Sequence, residues 1–319
     1  MRIYSLFLWF FLFLSVGNAL AQIPKNKEGK TKLKLIAADK LERDPDRFKG
    51  NQILTGNVQF DHKGTILTAD SAVFYQKENF FVAWSRVRVV EQEKTISADY
   101  MEYDGNTTIA KAKGNARFTD PQNTITANEM DYNRTTEIAY ARGDVVMINP
   151  NQRVETSAIE YNRKTSIAFS NTLTKVTGND GSVIESSHIV YNTNTKASDF
   201  GSDVYITNKD YLIFSKNMSN NQTTGITTFR DQSKITNRKN PTQYIITRNG
   251  TFNKTSGEAF LYDRSQVFSE GKMLIGDTIF YNEKSGFGWA KGDILMDDPQ
   301  EKRFIKGDYL SLIHISEPT

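Results

Sequence analysis

Few residues in this sequence could act as metal ligands, acid–base groups or nucleophiles, because it has three histidines and no cysteine. His62 lies in the turn-like sequence Asp61–Gly64, and His314 lies near the end of the chain. His188 occupies a repeat position whose counterparts are Tyr100, Glu129 and Ala158. A position with such varied side chains suits neither a ligand nor a base. Zinc sites need clustered histidine and cysteine, so we predict no metal site.

Short polar residues recur at one repeat position and could be considered as calcium ligands. They are Asp70, Asp99, Asn128, Ser157, Ser187, Lys216, Arg248, Asp277 and Asp308. Lysine and arginine cannot ligate Ca²⁺, and the glycine–aspartate nonapeptide of calcium-binding β-rolls is absent from the sequence. The pattern therefore indicates a structural role in a turn or bulge.

No Gly-x-Ser-x-Gly element, phosphate-binding loop or HExxH motif is present in the sequence. No pair of carboxylates is marked out for glycoside hydrolysis, although a β-helix polysaccharide enzyme stays open as an alternative. The formal net charge of +3 falls to +2 without Arg2, which lacks the basic excess of nucleic-acid-binding proteins. We predict a protein that is not an enzyme, needs no cofactor and does not bind nucleic acid.

Internal repetition is the dominant signal in the sequence. An aliphatic residue recurs in steps of 29, 29, 29, 30, 29, 32, 29 and 31 residues. This aliphatic column consists of Leu67, Ile96, Ile125, Val154, Ile184, Ile213, Ile245, Leu274 and Ile305. A small residue follows two positions later in every repeat, and an aromatic residue follows seven positions later in most. Repeats of this kind predict one supersecondary unit stacked many times.

Each repeat is predicted to contain two strands. A turn signal of the form [DN]-x-x-[TS], such as Asp104–Thr107 or Asn133–Thr136, separates two β-rich segments. The returning segment alternates with a period of two, and Ala110 to Phe118 is one example. Met101 follows Ile96 by an odd offset, which a bulge near the Asp/Asn/Ser position would correct, although a strand buried on both faces is an alternative. We expect about sixteen antiparallel strands, with a parallel β-helix as the alternative architecture.

The N-terminus predicts export from the cytoplasm. Arg2 precedes the apolar run Tyr4–Val16, and Ala19–Ala21 has the small-x-small pattern of a signal peptidase site. We therefore expect a signal peptide over residues 1–21, although an uncleaved membrane anchor is an alternative. A leader with the first strand would occupy residues 22–50, and the repeat array would occupy residues 51–310, as one unit or as two tandem domains. The repeat breaks off after Leu310, so residues 311–319 are predicted to be foreign or truncated sequence.

The repeat sequence resembles the LptA/OstA-like family. The resemblance rests on units such as Ile96–Asp104 and Ile125–Asn133, and on Gly-Asn/Asp-Val-like segments such as Gly56–Val58, Gly114–Ala116 and Gly143–Val145. It covers most of the chain from Leu54 to Leu310. It implies an antiparallel β-jelly roll with an apolar interior that shelters the acyl chains of lipid A, the lipid part of lipopolysaccharide.

The resemblance also implies where the protein acts and which partners it has. It implies a transport protein that is either free in the periplasm or associated there with the outer membrane. In this protein the aliphatic column is the candidate lipid-binding lining. The implied partners are lipopolysaccharide and other jelly-roll proteins that join by edge-strand pairing, together with head-to-tail self-assembly. The alternatives are a structural or adhesive surface repeat protein and the N-terminal part of an outer-membrane translocon.

Overall fold

A computed structural model describes residues 32–313, and the side chains of Leu312 and Ile313 are not described. The predicted signal peptide and His314 lie outside these residues. A 3₁₀ turn occupies Phe48–Gly50. The strands are β1 (Lys34–Ala37), β2 (Lys40–Arg43), β3 (Gln52–His62), β4 (Thr65–Tyr75), β5 (Phe80–Glu91), β6 (Lys94–Asp104), β7 (Ile109–Thr119), β8 (Thr124–Asn133), β9 (Ile138–Asn149), β10 (Gln152–Asn162), β11 (Ile167–Ser170), β12 (Thr174–Gly178), β13 (Val183–Ser186), β14 (His188–Asn192), β15 (Ala197–Thr207), β16 (Tyr211–Asn221), β17 (Ile226–Asn237), β18 (Tyr244–Asn253), β19 (Glu258–Tyr262), β20 (Ser265–Ser269), β21 (Lys272–Gly276), β22 (Thr278–Asn282), β23 (Phe287–Asp298) and β24 (Arg303–Ile313). Within the described residues, no helix is long and apolar enough to span a bilayer.

The strands form one antiparallel meander, in which each strand pairs with its neighbours in the sequence. The predicted all-β antiparallel fold is therefore confirmed, and the parallel β-helix is excluded. The described chain has 24 strands where about sixteen were predicted. We call each pass of the chain across the sheet a rung. The count was too low because five rungs break at their bend into two short strands, as β11 and β12 do, and because rungs before and after the eight complete repeats add to the sheet.

The turns that carry the [DN]-x-x-[TS] signal are uniform, and we call them the motif turns. They occupy four residues each, at 105–108, 134–137, 163–166, 193–196, 222–225, 254–257 and 283–286, and a turn of the same length without the signal lies beside them at 76–79. Asn133 shows the predicted role, because its Oδ1 accepts hydrogen bonds from the backbone N–H groups of Thr135 (3.0 Å) and Thr136 (3.1 Å). The N–H of Arg134 donates to the carbonyl of Thr108 in the preceding turn, at 3.0 Å. Successive motif turns are thus joined by backbone hydrogen bonds along one edge.

Each complete rung bends near its middle. On β7, Gly114 and Asn115 have φ of +71° and +49°, and both stand opposite the single residue Asp99 of β6. The returning strand therefore carries one extra residue, which is a β-bulge. On β6 the buried set passes from Ile96 and Ala98 to Met101, so the bulge restores one apolar face. The bulge predicted at the Asp/Asn/Ser position is confirmed.

The bends fold the sheet onto itself. Residues on its apolar face are almost inaccessible, as in Phe118 (0% exposed) and Met101 (0% exposed). A single meander has no second layer to cover that face, so the two halves of the bent strands must cover each other. The result is a long roll with the motif turns along one edge and the other hairpin turns, which we call the variable turns, along the other.

The core of the roll is divided in two. The first cluster extends from Leu33 to Met218, and the second extends from Leu261 to Ile294 with Leu310 packed against it. The strands between them continue the hydrogen-bonded ladder without a break. The predicted division of residues 1–319 into signal peptide, leader, array and tail stays a prediction. Residues 311–313 continue strand β24.

Candidate functional site

The aliphatic column is one half of a longer apolar row inside the roll. Each column residue from Leu67 to Leu274 pairs across the sheet with an apolar residue of the strand on either side; Ile125, for example, stands opposite Phe118 and Met147. Within the described residues, Ile305 on β24 pairs with Met296 of β23 alone. In ladder order the row is Phe60, Leu67, Val89, Ile96, Phe118, Ile125, Met147, Val154, Val176, Ile184, Ile206, Ile213, Ile235, Ile245, Val267, Leu274, Met296 and Ile305. All nine predicted lining residues therefore lie in a single row.

Sequence analysis missed half of this row. It placed Phe118 on the alternating face of its returning strand but did not assign it, or any returning-strand residue, to the lining. The missed signal was present in the sequence, because Phe60, Val89, Phe118 and Met147 follow one another in steps of 29 residues. The column and its partners share one period, which is expected when both strands of every repeat face the same interior.

The apolar row is closed at one end of the roll and accessible at the other. Leu67, Ile96, Ile125 and Val154 are at most 6% exposed. Ile184, Ile213 and Ile245 are half-buried. Leu274 is buried, and Ile305 is 43% exposed. The first four column residues are therefore packed as core in this structure, and the role of the column as a lipid-binding lining stays a prediction. Small cavities of similar size lie beside both regions of the row, one lined by Val89, Ile96 and Arg134 and one by Val154, Val176 and Phe200.

Charged residues bring the two turn edges together beside the closed part of the row, and we call Glu91, Lys94, Arg134 and Glu137 the ionic seam. Arg134 Nε lies 2.6 Å from Glu91 Oε1, and Lys94 Nζ lies 3.0 Å from Glu91 Oε2. Lys94 also faces Glu137 at 3.8 Å. Arg134 and Glu137 belong to a motif turn, whereas Glu91 and Lys94 flank a variable turn. The seam therefore ties one edge of the roll to the other.

The surroundings of the seam keep its groups ionised. Burial acts to raise the pKa of Glu91, but hydrogen bonds and charge from Arg134 and Lys94 outweigh it, so the pKa lies below the ordinary value. Burial acts to lower the pKa of Lys94, but the Glu91 carboxylate outweighs it and the pKa is raised. Both shifts favour the charged forms, which stabilises the contact between the edges near neutral pH.

The two histidines within the described residues, His62 and His188, each contact a neighbouring polar side chain. The sequence placed His62 in a hairpin turn, whereas in the structure it is the last residue of strand β3. It is 1% exposed, and its Nδ1 lies 2.7 Å from the Tyr103 hydroxyl. His188 Nδ1 lies 2.6 Å from Asn171 Oδ1. Within the described residues, no cluster of His, Asp or Glu could hold a metal ion. The repeated aspartates bond to the bulge instead, as Asp99 does by accepting from Asn115 Nδ2 at 2.7 Å.

The repeat sequence matches a known protein family. The sequence model for OstA-like protein matches residues 30–172 and 135–216, which together span more than half of the chain. The chain belongs to the OstA-like family. The predicted family resemblance is therefore confirmed, and the matched residues end close to Met218, where the first core cluster also ends.

Comparison with individual proteins finds similar solved structures but no curated protein that matches the chain significantly. One of these structures is LptH from Pseudomonas aeruginosa, described as the LptA-homologous periplasmic component of the conserved lipopolysaccharide transport device. The similarity covers 34% of this chain and 82% of LptH, with 20% sequence identity and a TM-score of 0.32.

Proposed function

We propose that this OstA-like protein is a periplasmic, non-enzymatic transport protein that binds lipopolysaccharide and holds the acyl chains of lipid A in its apolar interior. Membership of the OstA-like family supports the transport role. The predicted signal peptide over residues 1–21 supports export. The observation that carries the proposal is the apolar row, which runs through 18 strand positions and becomes accessible from Ile184 onward.

The physical reason for such a carrier is the cost of moving acyl chains through water. Each methylene removed from water contributes about 0.8 kcal/mol, so several acyl chains do not leave a membrane without a shelter. The accessible part of the row offers Ile184, Ile213 and Ile245 on one wall of the roll. Phe200, Met218 and Phe229 face the interior from the other wall.

The ends of the roll support the proposed partners. In the described residues, β24 pairs only with β23, and the short strands β1 and β2 pair only with β3. Unpaired strand edges can accept a strand from another protein. Bridge formation with other jelly-roll proteins, or head-to-tail assembly of this chain, would use these two edges.

Equilibrium binding tests the proposal. Purified lipopolysaccharide is titrated into the chain beginning at Gln22, with lipid A and fully deacylated lipopolysaccharide as competitors. We expect saturable binding that lipid A displaces and the deacylated saccharide does not. Equal displacement by the saccharide would show that the acyl chains are not what is recognised. Absence of binding would favour a structural or adhesive repeat protein.

A further inference from the structure

The two turn edges of the roll are held together unequally along its length. Around the closed part of the apolar row, the ionic seam is extended by Arg163, whose Nη1 lies 3.0 Å from Glu137 and whose Nε lies 3.8 Å from Asp120. Arg134 additionally donates hydrogen bonds to the carbonyls of His62 (3.0 Å) and Lys63 (3.1 Å). These contacts join residues as far as 72 positions apart in the sequence.

The charged groups of the seam are largely withdrawn from solvent. The side chains of Lys94, Arg134 and Glu91 are 9%, 17% and 20% exposed. Partly buried and multiply hydrogen-bonded ion pairs hold their geometry better than surface pairs, which are worth little. The seam therefore closes the interior beside Ile96 and Ile125.

Beyond the seam, the edges are joined more weakly. Gln222 donates to Gln152 Oε1 at 3.1 Å. Lys254 faces Asp180 at 3.6 Å, and their side chains are 78% and 59% exposed. In residues 32–313, this pair is the last ion pair that joins a motif turn to a variable turn. The change coincides with the point where the apolar row becomes accessible.

From this coincidence we infer that acyl chains enter the roll sideways, between the two turn edges of the part that begins at Ile184, and that the ionic seam shuts the earlier part against them. The inference rests on the proposed function and adds the place of entry. Entry beside Ile96 would require the two turn edges to separate. Separation would leave Glu91 without the cations that pair with it, which is strongly unfavourable for a partly buried carboxylate. Entry beside Ile213 or Ile245 breaks no such contact.

Single cysteines test this inference cleanly, because the chain has none of its own. The variants I96C and I125C report on the closed part, and I213C and I245C report on the accessible part. Each is reacted with N-ethylmaleimide, with and without purified lipopolysaccharide. We expect I213C and I245C to react at least 100-fold faster than I96C and I125C, and lipopolysaccharide to slow only the fast pair by tenfold or more.

A second part of the experiment removes the ion pairs of the seam by substitution. Arg134→Gln in the I96C background should raise its reaction rate at least tenfold and make it sensitive to lipopolysaccharide. Lys254→Gln, which removes the exposed ion pair, is the matched control and should leave the rate unchanged. Glu91→Gln provides a second seam variant if Arg134→Gln does not fold.

The outcomes separate the two proposals. Equal protection of I96C and I213C by lipopolysaccharide, or equal reactivity of the two without it, would overturn sideways entry while leaving lipid binding intact. An unchanged I96C rate in both seam variants would overturn the role of the seam. Protection at none of the four positions would overturn the proposed function, and the place of entry with it.

Discussion

Truncation of Ile125 to alanine tests whether the early column residues act as core. Ile125 is 0% exposed and lies between Phe118 and Met147. The substitution removes three carbons, worth about 2.4 kcal/mol at about 0.8 kcal/mol each. A fully enclosed site adds a cavity penalty, which brings the expected loss to about 3–4 kcal/mol. The matched change is Ile305→Ala, where the side chain is 43% exposed and no closed cavity forms. There we expect a loss of about 1 kcal/mol.

Two tryptophans allow each part of the roll to be followed separately. Trp84 lies on β5 in the early part, and Trp289 lies on β23 in the late part. The experiment uses the chain beginning at Gln22, which lacks Trp9, the third tryptophan of the sequence. Urea unfolding of Ile125→Ala is followed through Trp84 in a Trp289→Phe background, and that of Ile305→Ala through Trp289 in a Trp84→Phe background. Each variant is compared with its own single-tryptophan parent, because a repeat array need not unfold in two states. Equal losses below about 1 kcal/mol would refute the closed core.

Three further predictions concern the bend, the seam and the buried hydroxyls. Gly114→Ala should lower the free energy of unfolding in urea by about 1–3 kcal/mol, because its Cβ, at φ +71°, would lie 2.8 Å from Asp99 Oδ2. In the control Gly307→Ala, the added Cβ meets no atom within 4 Å, and the change should be nearly neutral. The folded-state pKa of Glu91 is depressed from its ordinary value of 4.5, so the ionised Glu91 stabilises the fold above pH 4.5, and this stabilisation is lost as the pH falls through the lowered pKa. Glu91→Gln should therefore flatten the acid limb of a curve of stability against pH. Glu160→Gln, at an exposed site, should leave that limb unchanged. Ser215→Ala should lower stability by about 1–3 kcal/mol, because the residue is 0% exposed and its hydroxyl donates to the carbonyl of Asn217 at 2.8 Å. Thr207→Ala, at an exposed position, is the control. Similar thermal unfolding of both variants would contradict the role of this hydrogen bond.

The repeating elements could be read from the sequence because their signals are local. An Asn or Asp whose side-chain oxygen accepts hydrogen bonds from the backbone two and three residues later marks a motif turn, as Asn133 does. The odd offset between Ile96 and Met101 was sufficient to place the bulge, because a strand alternates with a period of two. The total number of strands was less predictable, since β11 and β12 form one rung that is interrupted only by its local geometry.

The unequal accessibility of the apolar row could not be predicted from the column itself. Ile125 and Ile213 are the same residue type at the same repeat position, yet one is fully buried and the other is half-buried. The difference depends on contacts between the two turn edges, such as Arg134 with Glu91, which lie 43 positions apart. The pair Arg134 and Glu91 is repeated once, 29 residues later, by Arg163 and Asp120. The pattern then ends at Thr193 and Gln222, which are uncharged, so the column alone does not show where the closed part ends.

The central claim, that the interior holds lipid tails, is tested most directly by photo-crosslinking at two neighbouring residues of β16. Ile213 faces the interior, whereas Leu212 is 46% exposed on the outer face. A benzophenone amino acid at position 213 is predicted to capture lipopolysaccharide under ultraviolet light, and the same group at position 212 is predicted to capture none. Capture at 212 but not at 213, or at neither position, would contradict the account.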